Sequence, residues 1–362
     1  MAIDIRGVSP VNKGAQLMLT AISDRLGSTR VLSSNPWQGS YDRRSRLGLR
    51  QTIHHYRFRR TSVFAGNALP AKAADKFGLV RDRDITGVLD ASGFAYSDSF
   101  SLDRHQREAF FGRRWAKAGV PKIMLPQAFG PFRDKEKARL AAEILNQAEV
   151  IFARDDVSLA NVLELGIETE VIRSVDFTIG LHPPEVDPVK GTPFVAIVPN
   201  TKIVSSGRSN ASEYTDLLEQ YAVAAERVGR EALLVVHEET DRSIAEEVAS
   251  RRGLDIFEDE DPLILKAMLG QADAIVASRF HAVVGALAQG VPSVVLGWSH
   301  KYAQLLNDFG VPQWSADLQD DPSETLAAVM NDAAGVATAR ARRSDLIRQV
   351  DQMWSRTEQA LR

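Results

Sequence analysis

The chain has 362 residues, is 44% hydrophobic and 25% charged, and carries a net charge of −3; this is a globular composition with enough length for two domains, each with its own core. Such weak acidity gives no global attraction to nucleic acid, and the absence of cysteine removes disulfides, thiolate nucleophiles and zinc–thiolate sites together. The opening MAIDIRGV lacks the basic and apolar regions of a secretory signal, and no stretch reaches the roughly twenty apolar residues of a membrane span, so a cytoplasmic protein is expected.

Residues 2–8 alternate like a first strand, and Ala15, Leu19, Ile22 and Leu26 mark one face of a helix after it. Asn12, Lys13 and Gly14 stand between them, at the carboxyl end of the strand, where open α/β sheets place ligands. A plain connecting turn would look the same. Residues 30–34 read as a second strand, after which regular patterning fades until about Gly87. Within that gap, residues 42–60 carry Arg43, Arg44, Arg46, Arg50, Arg57, Arg59 and Arg60 with His54 and His55 against a single acid. A basic run is most often a solvated helix face; this one also suits anionic lipid head groups or a pyrophosphate-linked substrate at the inner membrane surface. Aromatic interleaving is thin, with Tyr41, Tyr56 and Phe58, so nucleic acid is not an expected partner.

A regular βα alternation resumes at Thr86. Strand-like runs at 87–91, 122–125, 150–153 and 170–172 are separated by helical runs at about 103–118, 135–147 and 157–165, which argues for a mostly parallel sheet covered on both faces. Ser92 and Gly93, Gln127 with Gly130 and Pro131, and Arg154 with Asp155 each follow a strand. Pro183, Pro184, Pro188, Gly191 and Pro193 form the clearest break, which places an N-terminal Rossmann-like domain at 1–185 and a C-terminal one at 192–335. In the second half, strands at 194–198, 232–236, 255–257, 274–277 and 293–296 alternate with helices at about 212–228, 243–251, 262–269 and 282–289. Asp261-Pro262 and Asp321-Pro322 read as N-caps followed by proline at the first helical position. The acidic residues 258–261 are covered by that reading, and no metal site is expected. Residues 337–362 form one polar helix, assigned with 336 to a C-terminal element packing back on the first domain.

The stretch 271–302 is the richest in chemistry. After the buried strand at 274–277 come Ser278, Arg279, Phe280 and His281, and then a helical pattern closed by Gly290 and Pro292. An arginine and a histidine thus lie where free backbone N–H groups and the positive end of a helix dipole favour an anion. Lys301, past the next strand, adds a further positive charge. Equally, a histidine at a helix start is often only a hydrogen-bonded packing residue, and an arginine there often pairs with a carboxylate. His237 and Glu238, after the strand at 232–236, offer a second acid or base, or simply a solvated strand end. Trp298 suits a sugar ring, although an aromatic after a buried strand is more often core. The sequence has no G-x-G-x-x-G after the first strand, no G-x-x-x-x-G-K-[ST] and no H-E-x-x-H.

The segment AIVASRFHAVVGALAQGVPSVVLGWSHKYAQLLNDFG resembles the C-terminal signature of the polysaccharide pyruvyltransferase family, with Arg279-Phe280-His281 before the helix, Gly290-Val291-Pro292 after it and Lys301 beyond the next strand. Upstream, Asn12-Lys13-Gly14, Gln127 with Gly130-Pro131, and Arg154-Asp155 with Ser158, Leu165-Gly166 and Asp176 resemble further family blocks in the same order. Phe280 stands where leucine is usual, Ala15 where many members have aspartate, Ala128-Phe129 interrupts a glycine pattern, and Asp90-Ala91-Ser92-Gly93 is poor in glycine.

The resemblance implies an α/β fold of two doubly wound Rossmann-like domains facing a central cleft, GT-B-like. It also implies transfer of pyruvate from phosphoenolpyruvate to two sugar hydroxyls as a cyclic ketal, in exopolysaccharide or cell-surface glycan synthesis. Phosphoenolpyruvate is then a donor substrate and no cofactor is expected. The acceptor is a saccharide, on a lipid-linked precursor, which would bring the cytoplasmic enzyme to the inner membrane surface. Under this reading His281 and Arg279 are catalytic, Arg154, Ser278 and Lys301 bind the donor, and Asn12, Lys13, Gly14, Ser92, Gln127, His237 and Glu238 line the acceptor side or cleft. A GT-B glycosyltransferase using a nucleotide sugar is the first alternative, and a non-catalytic scaffold of polysaccharide assembly the second.

Overall fold

Ala2–Arg6 is buried along its whole length because it has a parallel neighbour on each side, Val31–Ser34 and Ile85–Asp90. The computed structural model describes residues 2–9, 11–55 and 57–362; Tyr56, one of the aromatics of the basic run, lies outside them. From this centre the sheet runs in the order Leu79–Val80, Arg50–Thr52, Val31–Ser34, Ala2–Arg6, Ile85–Asp90, Lys122–Phe129, Val150–Ala153 and Val171–Arg173, with Phe94–Tyr96 pairing beside Lys122–Phe129. A second sheet has the order Asp255–Glu258, Glu231–Val236, Phe194–Val198, Ala274–Ala277 and Ser293–Val295. Its pairings are all parallel, and its central strands are apolar throughout, as strands covered on both faces must be.

The chain divides into two units, Met1–Phe177 with Gln349–Arg362, and Thr178–Arg348. In each, strand order reverses beside the unit's first strand, between Ala2–Arg6 and Ile85–Asp90 and between Phe194–Val198 and Ala274–Ala277. A sheet that reverses this way leaves a crevice at the carboxyl ends of the two strands.

Several elements follow directly from local chemistry. Lys13–Leu26 buries Ala15, Leu19, Ile22 and Leu26, and its N-cap Asn12 accepts a hydrogen bond from the Ala15 N–H at 3.0 Å. Asp261 and Asp321 cap Pro262–Leu269 and Pro322–Met330, each with proline in the first turn.

Other elements differ from the sequence expectation. The patternless region after Ser34 holds the helices Tyr41–Arg46, Arg59–Ala68 and Ala71–Lys76 and the edge strands Arg50–Thr52 and Leu79–Val80. These pieces are too short for a period to show. The basic run is therefore not one solvated helix face. Arg44 is buried and donates to the carbonyl of Pro36 at 3.0 Å, and buried His54 meets Asp82 at 3.1 Å.

The division between the units falls after Phe177, ahead of the proline-rich stretch. The buried Lys266 ammonium donates to the carbonyls of Thr178 and Leu181 at 2.9 and 2.8 Å, and the Val189 N–H donates to Gln271 at 2.9 Å, which ties that stretch to the second unit. The last helix is Ala333–Ala360; within the first unit Trp354 meets Phe177 edge to face, and Arg356 pairs with Glu170 at 2.9 Å.

Candidate active site

The second sheet's reversal point is bridged by polar side chains. Asn200, two residues past Phe194–Val198, donates its amide to the carbonyl of Ser278, which follows Ala274–Ala277. The Tyr302 hydroxyl donates to the same carbonyl at 2.7 Å. The Ser278 hydroxyl shares a 2.6 Å hydrogen bond with the Tyr214 hydroxyl, which also accepts the Asn200 N–H at 3.1 Å. Burial pushes the Tyr214 phenol up to about 12, with its bonds to Ser278 and Asn200 pulling the other way, so it stays neutral at physiological pH. Ser278 is itself buried; it fixes the loop from within.

Arg279 is the N-cap of Phe280–Leu287. Its Nε and Nη2 donate to the two carboxylate oxygens of Asp241, each at 2.6 Å, and Nη2 also donates to Thr240 Oγ1 at 3.1 Å. The Asp241 side chain is fully buried, and the Arg279 side chain is 15% exposed. Asp241 Oδ1 further accepts from the Thr201 N–H at 2.9 Å and hydroxyl at 3.1 Å. A bidentate pair held this way fixes the plane of a guanidinium that still reaches solvent. Half-buried His281 lies in the first turn of the helix, whose opening N–H groups have no partner within the helix, and its ring meets Phe280 edge-on at 5.5 Å.

Lys301 lies beyond the strand Ser293–Val295, as expected, in the first turn of the helix His300–Phe309. Its ammonium lies over three rings, at 5.0 Å from the centroid of Phe280, 4.7 Å from Trp298 and 5.4 Å from Tyr302. Phe280 thus links the lysine to the Arg279–His281 turn through cation–π attraction. Helix Phe280–Leu287 begins two residues earlier than periodicity predicts, because Phe280 packs inward at its first position.

His237 and Glu238 are buried, not a solvated strand end. Directly after Glu231–Val236 the chain turns into the short helix Glu239–Asp241, with the Asp241 N–H on the Glu238 carbonyl at 2.9 Å. The same turn delivers Asp241. Asp241, Asn200, Tyr214 and Tyr302 were not legible as site residues, although Asn200 satisfies the same strand-end rule that singled out Ser278.

In the first unit the reversal point brings Gly7 against Ser92. Gly7 has φ +79°, and a Cβ there would lie 1.8 Å from Ser92 Oγ, so only glycine fits. Half-buried Ser92 donates to Asp90 Oδ1 at 2.6 Å, and the buried Tyr96 hydroxyl donates to the other oxygen. Gln127 does not line an open surface. It lies inside Lys122–Phe129, fully buried, and donates to the Asp90 carbonyl at 3.3 Å; the strand runs four residues past its predicted end and carries Gln127 into the core. Asn12 is exposed at its cap, Lys13 is half-buried and Gly14 buried in the first turn. Arg154 is buried against Asp176 at 3.4 Å. Asp155 caps Ser158 at 2.7 Å, and the Ser158 hydroxyl accepts the Phe129 N–H at 3.0 Å, so part of that block holds backbone. Arg6 was also missed: it donates to Asn35 at 2.7 Å and Glu108 at 3.0 Å, beneath Phe111 and Trp115.

Among the described residues no three His, Asp or Glu side chains gather as a metal site, and no helix is long and apolar enough to cross a membrane.

The family model for polysaccharide pyruvyl transferase matches residues 12–300. The chain belongs to the polysaccharide pyruvyl transferase family. The matched span includes both the Asn12 cap and the Ser278–His281 turn. No curated protein matches the sequence.

Solved structures show the fold this family member shares. UDP-GlcNAc 2-epimerase from Neisseria meningitidis, bound to UDP-GlcNAc, aligns with a TM-score of 0.61 at 10% identity over 99% of each chain. A glycosyltransferase from Rickettsia africae gives 0.58 at 10% identity over 99% of this chain and 97% of that one. The spinosyn rhamnosyltransferase SpnG gives 0.57 at 13% identity over 99% of each. The family member therefore has a two-domain α/β fold of the GT-B kind.

Proposed function

We propose that this protein is a ketal-forming pyruvyltransferase that uses phosphoenolpyruvate as donor and a saccharide of a cell-surface or extracellular glycan as acceptor. Family membership supports pyruvyl transfer to polysaccharide in general. The observation that carries the donor assignment is the Asp241-locked Arg279 one residue ahead of a helix whose first turn holds His281. Phosphoenolpyruvate carries a carboxylate and a phosphate on one small carbon frame. A planar guanidinium of fixed orientation suits the carboxylate, and the Lys301 ammonium suits the phosphate as a point charge.

In this reading His281 moves the protons. The methylene carbon of the donor gains a proton and becomes a methyl group, leaving an oxocarbenium-like centre at C2. The oxygen of the first sugar hydroxyl bonds to C2 and its proton leaves. The C2–O bond to phosphate breaks, phosphate departs carrying the other proton, and the second hydroxyl closes the ketal. One phosphoenolpyruvate and one diol thus give one ketal and one inorganic phosphate.

The fold is shared with a UDP-GlcNAc 2-epimerase bound to UDP-GlcNAc and with a rhamnosyltransferase, so the deciding experiment is a thermal-shift titration of wild type and Arg279→Ala with phosphoenolpyruvate, UDP-sugars and GDP-sugars. A ligand that binds only the folded state raises the midpoint by mass action. Stabilisation by phosphoenolpyruvate, lost in Arg279→Ala, is expected. Stabilisation by a nucleotide sugar with none by phosphoenolpyruvate would overturn the proposal in favour of glycosyl transfer. His281→Ala should keep the phosphoenolpyruvate shift and abolish phosphate release; full turnover in that variant would remove His281 from the reaction.

A further inference from the structure

Charge and exposed aromatic surface are concentrated in one part of the first unit. Residues 41–77 hold nine arginines and lysines against two aspartates, in a chain whose net charge is −3. Among the described residues six aromatic side chains are exposed, and five of them, Trp37, Tyr41, Phe58, Phe64 and Phe77 with Phe94 the exception, fall between 37 and 77. Phe64 is 79% exposed, which costs a soluble surface free energy unless something covers the ring.

The pattern is ordered along the helices. Arg59–Ala68 turns Val63 and Gly66 inward, while Arg60, Thr61, Phe64, Ala65 and Ala68 are exposed at positions that share one face. Arg60 and Phe64 therefore stand one turn apart on the solvent side. Ala71–Lys76 buries Ala74 and exposes Lys72 and Lys76, again one turn apart. The Tyr41 hydroxyl donates to the Phe77 carbonyl at 3.3 Å, so the ends of this segment meet. Arg43, Arg46 and Arg57, in the same stretch of chain, are exposed as well. The strands here, Arg50–Thr52 and Leu79–Val80, are the outermost of the sheet on that side.

Exposed rings mixed with arginine and lysine at one sheet edge match the interface of an anionic bilayer, where aromatic rings settle at head-group level and basic side chains meet lipid phosphates. A nucleic acid would also satisfy the charge, but a ring as exposed as Phe64 on an alanine-rich helix face gains more from an apolar boundary layer. We infer that residues 41–77 form a docking surface for a membrane carrying anionic head groups. This inference does not rest on the donor assignment.

The test is flotation of the full chain with vesicles of phosphatidylcholine alone and with about one-third phosphatidylglycerol, in the absence of phosphoenolpyruvate and sugar. Two variants change only exposed residues: Phe58→Ser with Phe64→Ser and Phe77→Ser, and Arg43→Glu with Arg57→Glu, Arg60→Glu and Lys72→Glu. Their thermal midpoints should match wild type. Wild type should float with the anionic vesicles and not the neutral ones, and recovery should fall as salt is added. The aromatic variant should bind at least about tenfold more weakly, and the charge variant should lose about fivefold or more per residue changed. Absence of binding to both vesicle types, equal binding to both, or binding that neither variant weakens would overturn the inference. So would binding to a single-stranded oligonucleotide as tight as to the anionic vesicles, which would assign the surface to nucleic acid.

Discussion

Asp241 holds Arg279 by two 2.6 Å hydrogen bonds across 38 positions of chain, with its own carboxylate anchored on the Thr201 N–H and hydroxyl. The guanidinium is therefore oriented before any ligand arrives. Asp241→Asn removes one charge and one acceptor geometry while keeping the volume. With phosphoenolpyruvate as the proposed donor, it should raise the KM for that donor by about 30-fold, or ~2 kcal/mol, and leave the far-UV spectrum unchanged. Thr201→Ala, which loosens Asp241 without touching Arg279, should give a smaller rise in the same constant. A loss of thermal stability with no change in KM in either variant would mean that Asp241 supports only the fold.

Phe280 gives Lys301 one of its three aromatic faces. Phe280→Leu removes that face but keeps an apolar side chain at the helix start. The expected result is a rise of about fivefold in the KM for phosphoenolpyruvate, the equivalent of one cation–π contact, with kcat little altered. Lys301→Met should cost more than Phe280→Leu, and the two changes together no more than Lys301→Met alone. Full additivity of the two would separate the ring from the lysine.

Glu108 connects acid stability to the first unit's core. Burial works against its charge, but Arg6 and Arg107 prevail and hold the carboxyl at about 2, against an ordinary 4.5. The folded protein thus keeps a carboxylate that the unfolded chain protonates first. Its stabilisation is complete above about pH 4.5 and is lost as the pH falls towards about 2, about 3 kcal/mol in all. Urea unfolding at about pH 6 and about pH 3 should show a smaller acid-induced loss in Glu108→Gln than in wild type. An identical acid limb in both would remove Glu108 as its source.

Lys122 is 2% exposed, and its ammonium donates no hydrogen bond among the described residues. Burial pulls its pKa down, against the attraction of Asp90 and Glu108. Both acids have other donors: Asp90 is bonded by Ser92, Tyr96 and Gln127, and Glu108 by Arg6. Lys122→Met should therefore leave stability unchanged or raise it by about 1–2 kcal/mol. Destabilisation by more than about 2 kcal/mol would show that the two acids need that charge.

Much of the fold was legible before any coordinates. Alternating buried runs and helical periods placed most strands from Ile85 onward within two or three residues, and the caps at Asp261 and Asp321 could be read from two-residue signals. The region 41–84 was not legible, because its elements are only two to ten residues long and repeat too few times for a hydrophobic pattern to stand out. Gln127 was misplaced for a related reason. Only pairing with Phe94–Tyr96 and Val150–Ala153 carries its strand as far as Phe129.

The turn Ser278–His281 was determined by the sequence itself: an apolar β-branched strand, then an arginine and a histidine, then a helical period, all within about a dozen residues, the range over which hydrophobic periodicity and capping act. The partners of that turn were decided only by tertiary structure. Asn200, Tyr214, Asp241 and Tyr302 come from four other segments, and no local preference says which acid will face Arg279. Sheet order and register decide that: they set Phe194–Val198 beside Ala274–Ala277 and bring the turn after Glu231–Val236 to the same end of the sheet. There burial makes an unpaired carboxylate or guanidinium too costly to leave alone.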